Sequence, residues 1–364
     1  MLLKEFLQEL ETIAPSSLQE SYDNSGLQVG DPGMELTRGL ICLDVTQGVI
    51  AEAIQQNCNL VISHHPLIFK GLKRITGQHY VDKIIMEAIK NDIAIVSVHT
   101  NLDNLKTGVN FKLASMLGLK NIRILDPRKG IVKKLVVFCP VAHAHLVREA
   151  IFKAGAGHIG EYSSCSFNVQ GSGSFRAGQQ ANPFVGKINE LHFEPEERIE
   201  TVFPAYLENN ILQAMLKSHP YEEVAYDVYS LDNAFDQVGS GITGELEEPV
   251  PEQAFLAHVR EVLQVPVLKH SPFTGQVITK VALCGGSGSF LLEQAMKSAS
   301  QAFITADVKY HQFFEPWPRL LLIDAGHYET EQFTKQLLYE VVNKKISKFA
   351  LLISEAHTNP VSYF

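Results

Sequence analysis

Three pairs of metal-competent side chains stand out: His64 with His65, His99 with Asp103, and His327 with Glu331. Each pair directly follows a short apolar run. His64, His65, Asp103, His327 and Glu331 offer three imidazoles and two carboxylates, a set that suits Zn, Mn, Fe, Co or Ni. No thiolate joins them, which argues against a closed structural zinc site. Five donors exceed what one four-coordinate ion with an open position needs. They fit two ions that share a carboxylate and a water, ~3.5–4 Å apart. Such a water is acidic enough to supply hydroxide near neutral pH, a nucleophile for carbonyl, amidine or phosphoryl centres. His327 and Glu331 are four apart at an expected helix start, so one turn stacks them on one face. Any one pair is equally well read as ordinary cap or loop residues. Three such pairs at three strand ends in a single domain favour a metal site.

Other residues carry weaker signals. His99 could be a further ligand, a hydrogen-bonding partner of a ligand or a proton shuttle, or it could only cap its strand. Asp307 and His311 also follow a strand and either line the site or are solvated; His99 and His311 are the candidate proton carriers. Asp324 could cap the helix that carries His327. Gly285-Gly286-Ser287-Gly288-Ser289 could cradle a phosphate on backbone N–H groups, although a tight strand-to-helix turn is the simpler reading. His143, His145 and the run His219-Pro220-Tyr221-Glu222-Glu223 read as surface residues, with regulation as the second reading.

These residues need elements to position them. Leu60-Val61-Ile62 is a continuous apolar run, expected of a strand covered on both faces, and Pro66 helps to end its pairing. Gly39–Leu43, Ile93–Val98, Ile278–Cys284, Ala302–Thr305, Leu320–Ile323 and Lys348–Ile353 are further strands. Between them lie an amphipathic first helix (Leu3, Phe6, Leu7, Leu10), a helix capped by Thr46 with an apolar stripe through Val49, Ile50, Ala53 and Ile54, and a helix with Val81, Ile84, Ile85, Ala88 and Ile89 on one face. Helices near Val109–Leu117 and Pro251–Leu263, and one ending near Lys344, follow. Strands alternating with helices imply a mostly parallel sheet, whose ligands gather at the carboxyl ends of the strands. From Asp126-Pro127 the texture changes: strands at Lys134–Cys139, Tyr162–Gln170, Glu190–Phe193, Arg198–Phe203 and Val224–Tyr229, helices at His145–Ala154 and Leu207–Lys217, and a glycine-rich Gly171–Ser174 between strands. This reads as β-α-β-β-α-β, ferredoxin-like, with one added strand. The expected organisation is one discontinuous α/β domain, residues 1–126 plus 234–364, with an α+β insert at 127–233.

The 364 residues suit roughly two or three domains, and 45% apolar with 20% charged residues is a globular balance. A net charge of −9 and a pI near 5.9 argue against broad nucleic-acid or anionic-membrane binding. The first helix lacks the uninterrupted apolar core of a signal peptide, and no stretch reaches the ~20 apolar residues of a membrane span. Five scattered cysteines without a C-x-x-C read as reduced thiols, so a cytoplasmic location is expected.

Together, Ser63-His64-His65-Pro66, His99-Thr100-Asn101-Leu102-Asp103, Ile304-Thr305-Ala306-Asp307-Val308-Lys309-Tyr310-His311 and Gly326-His327-Tyr328-Glu329-Thr330-Glu331 resemble the Nif-three-like family. Its bacterial members go under the name GTP cyclohydrolase 1 type 2 homologue. The match covers both outer segments, with Ala306 where the family usually has glycine. The resemblance implies two divalent ions per chain on His64, His65, Asp103, His327 and Glu331, with zinc foremost. It further implies a toroidal homohexamer and, for long members such as this one, a PII/CutA-like insert. The function expected is hydrolysis of a nucleotide or related ring. The competing expectation is a non-enzymatic assembly that buffers or delivers metal, with the insert as sensor.

Overall fold

The computed structural model describes residues 1–364, which divide into two compact units: Met1–Pro127 with Asp236–Phe364, and Arg128–Phe235. Fifteen strands occur in chain order: β1 (Gly26–Val29), β2 (Arg38–Cys42), β3 (Leu60–Ser63), β4 (Ala94–Ser97), β5 (Lys120–Arg128), β6 (Val132–Pro140), β7 (Phe167–Arg176), β8 (Leu191–Pro204), β9 (Tyr226–Ser230), β10 (Phe235–Pro251), β11 (Lys269–His270), β12 (Val277–Leu283), β13 (Ala302–Thr305), β14 (Leu321–Asp324) and β15 (Ala350–Ile353).

The first unit holds two sheets rather than the single one expected. Their orders are β1-β4-β3-β2-β15 and β11-β14-β13-β12-β10-β5. In the first, β4, β3, β2 and β15 run parallel and β1 closes the edge antiparallel. In the second, β12, β13 and β14 are parallel, flanked by antiparallel β10 and β11. β1 and β11 are edge strands, whereas β10 lies between β12 and β5. β1 begins in a polar, turn-forming run, and β10 runs straight through Gly239–Gly244.

Every residue of β3, β4, β13 and β14 is buried, as continuous apolar runs require when both faces are covered. Leu60 and Ile62 face one core with Phe6, Leu10 and Leu338; Val61 faces another with Val49, Ile50, Ile84 and Ile85. Ile304, Leu321 and Ile323 pack with Phe255 and Val259, while Phe303 and Leu322 face Leu291 and Ala295. Each such buried side chain contributes about 1.5–3 kcal/mol of transfer free energy. Thr46 caps the helix Gln47–Gln55, its hydroxyl accepting from the Val49 amide at 3.2 Å. Two residues assigned to apolar stripes instead face solvent: Ile54 and Ile89. All five cysteines are free thiols, four of them buried. No helix is long and apolar enough to cross a membrane.

The second unit is a four-stranded antiparallel sheet, order β7-β8-β6-β9, with helices Ala144–Lys153 and Glu208–Ser218. Val147, Ile151, Ile211 and Met215 of the helices share one core with Leu135, Val137 and Ile199 of the sheet. There is no added strand, because Glu190–Phe193 and Arg198–Phe203 fall mostly within one long β8. Its Pro195 lies where β6 no longer flanks it, so the missing N–H is tolerated. The glycine-rich Gly171–Ser174 is not a loop but the middle of β7, and a Cβ on Gly173 would collide with the Glu196 carboxylate.

Candidate metal centre

The carboxyl ends of parallel strands from both sheets of the first unit open onto one cavity of about 730 Å³. β3 delivers His64 and His65, and β4 delivers His99 and the short helix Thr100–Asp103. β14 delivers the helix His327–Glu331. His327 and Glu331 share a face of that single turn, so their side chains meet.

His64 is fully buried. Its Nδ1 lies 2.9 Å from the Val98 carbonyl and donates there, which leaves the Nε2 lone pair facing inward. What it faces is Asp103 Oδ1 at 3.6 Å and Glu331 Oε1 at 3.9 Å. Both His64 Nε2 and Asp103 Oδ1 are buried without a hydrogen-bond partner. Two orphaned acceptors aimed at each other are costly in a protein interior, and a cation between them removes the cost. This is the observation by which the residues fit a metal ion.

Glu331 lies among the imidazoles, its Oε2 2.9 Å from His65 Nε2 and 3.1 Å from His327 Nε2. The far nitrogen of each of these rings is held by a second carboxylate. Asp44 lies 2.7 Å from His65 Nδ1, and Asp307 lies 2.6 Å from His327 Nδ1. Carboxylates behind imidazoles fix the ring orientation and raise its basicity, as they do around metal ligands. Burial lowers the His65 pKa, but hydrogen bonds to Asp44 and Glu331 win and lift it to about 10. For His327 burial again opposes, and Glu331 and Asp307 lift it to about 9. Burial pushes Asp103 upward, whereas for Glu331 hydrogen bonds from His327 and His65 overcome burial and hold it well below the usual range. Positive charge collected around one buried carboxylate is the pattern a divalent cation would replace.

Two overlapping donor sets emerge, one of His64, His65 and His99, the other of His65, His327 and Glu331, each with ligand atoms within 4.8 Å of one another. His99 is therefore at the cavity. Its Nδ1 lies 2.8 Å from Asp23 Oδ1, leaving Nε2 for the cavity side. Asp23 also accepts from the Thr100 amide at 3.1 Å, the Thr100 hydroxyl and the Ser25 hydroxyl at 2.9 Å. Burial opposes these bonds, and they still hold its carboxyl far below the usual range.

The structure sorts the weaker candidates. Asp307 is the partner of His327 and accepts from the Ser287 hydroxyl. His311 is exposed on the 3₁₀ turn Tyr310–Phe313 and does not line this cavity. Asp324 does not cap the helix; it accepts from the Gly326 amide at 3.1 Å and pairs with Lys269 at 2.7 Å. The glycine-rich turn packs against Glu331: Gly286 has φ +59°, and a Cβ there would strike that carboxylate. His143 and His145 lie in the second unit at the start of a helix. His219 also lies there and is buried rather than at the surface.

Three residues behind the donors carry no functional signal of their own in the sequence: Asp23, Asp44 and Thr358. Asp23 stands in a polar, turn-forming run and Asp44 just before the helix that Thr46 caps. Thr358, whose hydroxyl donates to Asp44 Oδ2 at 2.9 Å, lies beyond the last strand. The register of β2 with β3, Cys42 opposite Ser63, is what sets Asp44 beside His65. That signal exists only once the strand order is known.

Comparison with known proteins places these features in context. The family model described as Duf34/NIF3 (NGG1p interacting factor 3) matches residues 1–360. A Halalkalibacterium halodurans protein named GTP cyclohydrolase 1 type 2 homolog is 39% identical over 363 residues, covering 98% of this chain and 97% of its own. A Bacillus subtilis protein of the same name is 35% identical over 370 residues, with 99% and 98% covered. The crystal structure of a Bacillus cereus protein related to NIF3 superposes with a TM-score of 0.89 at 39% identity, covering 100% of this chain and 99% of that one.

Proposed function

The chain belongs to the Duf34/NIF3 family, and from that premise we propose that it is a metal-dependent hydrolase of a nucleotide or related ring. Two divalent ions, zinc foremost among Zn, Mn, Fe, Co and Ni, are held by His64, His65, Asp103, His327 and Glu331. The observation that supports this most is the buried, unpartnered face of His64 Nε2 against Asp103 Oδ1. Divalent ions in such a site act as Lewis acids and make water acidic enough to be a nucleophile near neutral pH. Glu331 serves both donor groups, Oε1 towards His64 and Oε2 towards His65 and His327. The Val98 carbonyl, Asp44 and Asp307 fix the three ligand rings. His99, its Nδ1 proton held by Asp23, accepts a proton at Nε2 from the cavity side.

The same reading extends to the rest of the chain. The second unit, with β-α-β-β-α-β order and its outer strands split around β8 and β6, is a ferredoxin-like, PII/CutA-like insert in a discontinuous α/β domain. The assembly is a homohexamer of the cytoplasm.

The test is metal content and turnover together. Zinc-loaded protein is assayed on purine and pterin rings and their nucleotides, with Glu331→Ala as control. Two ions per chain with turnover lost in the control is the expected result. Two ions with no turnover on any ring would shift the function to a metal-holding assembly, with the insert as its sensor.

A further inference from the structure

The walls of the cavity narrow the ligand class, on the premise that the cavity is the hydrolase site proposed above. Besides Asp103 and Glu331, the carboxylates of Glu20, Asp44, Asp307, Asp324 and Glu329 line it. Lys269 is the sole lysine or arginine among the lining residues, and its ammonium is already paired with Asp324 at 2.7 Å. Histidines aside, seven carboxylates against one ammonium leave a balance of minus six, and two divalent ions, in place of the protons on His65 and His327, would still leave minus two. A nucleoside triphosphate brings roughly four more negative charges. Sites that take such chains meet them with arginine and lysine clamps or with a cradle of free backbone N–H groups. This cavity has no such clamp.

The glycine-rich turn has its three glycine amides already committed. The Gly285 amide donates to Asn110 Oδ1 at 2.8 Å, Gly286 to the Thr330 hydroxyl at 3.0 Å and Gly288 to the Thr305 hydroxyl at 2.9 Å. The turn leads into a three-residue 3₁₀ turn and a six-residue helix, too short to present a strong dipole.

What the cavity does present is aromatic. Tyr22, Phe69, Phe290, Tyr328 and Tyr363 line it, and Phe290 and Tyr22 are each 62% exposed. The Tyr22 and Phe69 rings lie 6.4 Å apart, and Phe69 meets the His99 ring edge-on at 6.5 Å. Exposed rings around a polar floor stack well on flat heterocycles, and a volume of about 730 Å³ suits a small organic ligand.

We propose that this cavity takes an uncharged, flat nitrogen heterocycle, a base or nucleoside without its phosphates, and rejects nucleoside polyphosphates. The rings at the mouth hold the heterocycle by its faces. The acidic wall repels each added phosphate.

The experiment is calorimetric titration of guanosine, GMP and GTP into zinc-loaded full-length protein at fixed ionic strength. Adenosine and a pterin serve as further rings. Zinc per chain is measured before and after each titration, so that metal lost to the triphosphate is not counted as binding. Guanosine is expected to bind more tightly than GTP by about tenfold or more, with GMP between them. Phe290→Ala, at an exposed position outside the metal ligands, is expected to weaken guanosine by about fivefold or more while zinc content stays unchanged. GTP binding as tightly as guanosine, or more so, overturns the proposal, as does the absence of binding by every ring. Ring binding without bound zinc keeps the ligand class and removes the two-ion reading. Two zinc ions without ring binding does the reverse.

Discussion

His64 and His219 are both nearly sealed from solvent, 0% and 7% exposed, in different units of the molecule, yet their surroundings are opposite. His219 is satisfied at both nitrogens: Nε2 donates to the Phe138 carbonyl at 2.9 Å, and Nδ1 accepts from the Tyr221 amide at 3.1 Å. His64 is satisfied at one nitrogen and faces a carboxylate with the other. The first arrangement is complete as it stands and serves the fold. The second leaves two buried acceptors facing each other, and the proposed cation rests on that geometry. Burial alone therefore does not mark a functional histidine; the unspent lone pair does.

Substitutions can break this comparison. Glu331→Ala should have the largest effect, since its carboxylate faces both donor groups: metal content should fall from two ions per chain to none retained through gel filtration. Retention of both ions in that variant would remove Glu331 from the ligand set. Asp44→Asn keeps the ring contact but loses the charge behind His65, and zinc affinity should drop about 10–100-fold by competition with a chelator. His219→Ala should lower stability by about 1–3 kcal/mol in denaturant unfolding, with metal content untouched. A loss of metal there would mean that the two clusters are not independent.

The comparison also predicts a change of sign. In metal-free protein, Asp103→Asn relieves an unpartnered carboxylate, so the midpoint of unfolding should hold or rise. A clear fall would show that Asp103 is already satisfied. The smallest effect concerns pH. Burial depresses the His219 pKa below its free value, the nearby His143 lowers it further, and the bond to Phe138 only partly restores it. A histidine held neutral contributes stability in full above its unfolded pKa near 6.5, and that stability is lost as pH falls below it. Acidification should therefore weaken the second unit, and His219→Gln should flatten the dependence, as followed by hydrogen exchange in the helix Glu208–Ser218.

The gathering of the candidate donors at one cavity was legible because each follows a buried run, such as Leu60-Val61-Ile62 before His64. Their supports were not. Asp44 and Asp23 become partners of His65 and His99 only through strand register and a turn that folds back, neither of which leaves a local trace. The same limit explains β7, where Gly171 to Ser174 keep the strand because β8 pairs with them and Glu196 needs the room. It also explains the division into two sheets, since an antiparallel edge such as β1 depends on its neighbour more than on its own apolarity.

The first unit is assembled from chain segments on either side of the second. His64, His65 and Asp103 leave the ribosome long before His327 and Glu331, with all of Arg128–Phe235 between them. The intervening unit has its own core and can complete while the early half waits for its partner strands. If the centre holds metal as proposed, a chain that stalls before residue 327 carries three of the five donors, His64, His65 and Asp103, and lacks the carboxylate that faces both groups. On the proposed two-ion reading, the site as a whole is completed only after synthesis has passed the second unit, because His327 and Glu331 follow Arg128–Phe235 in the chain.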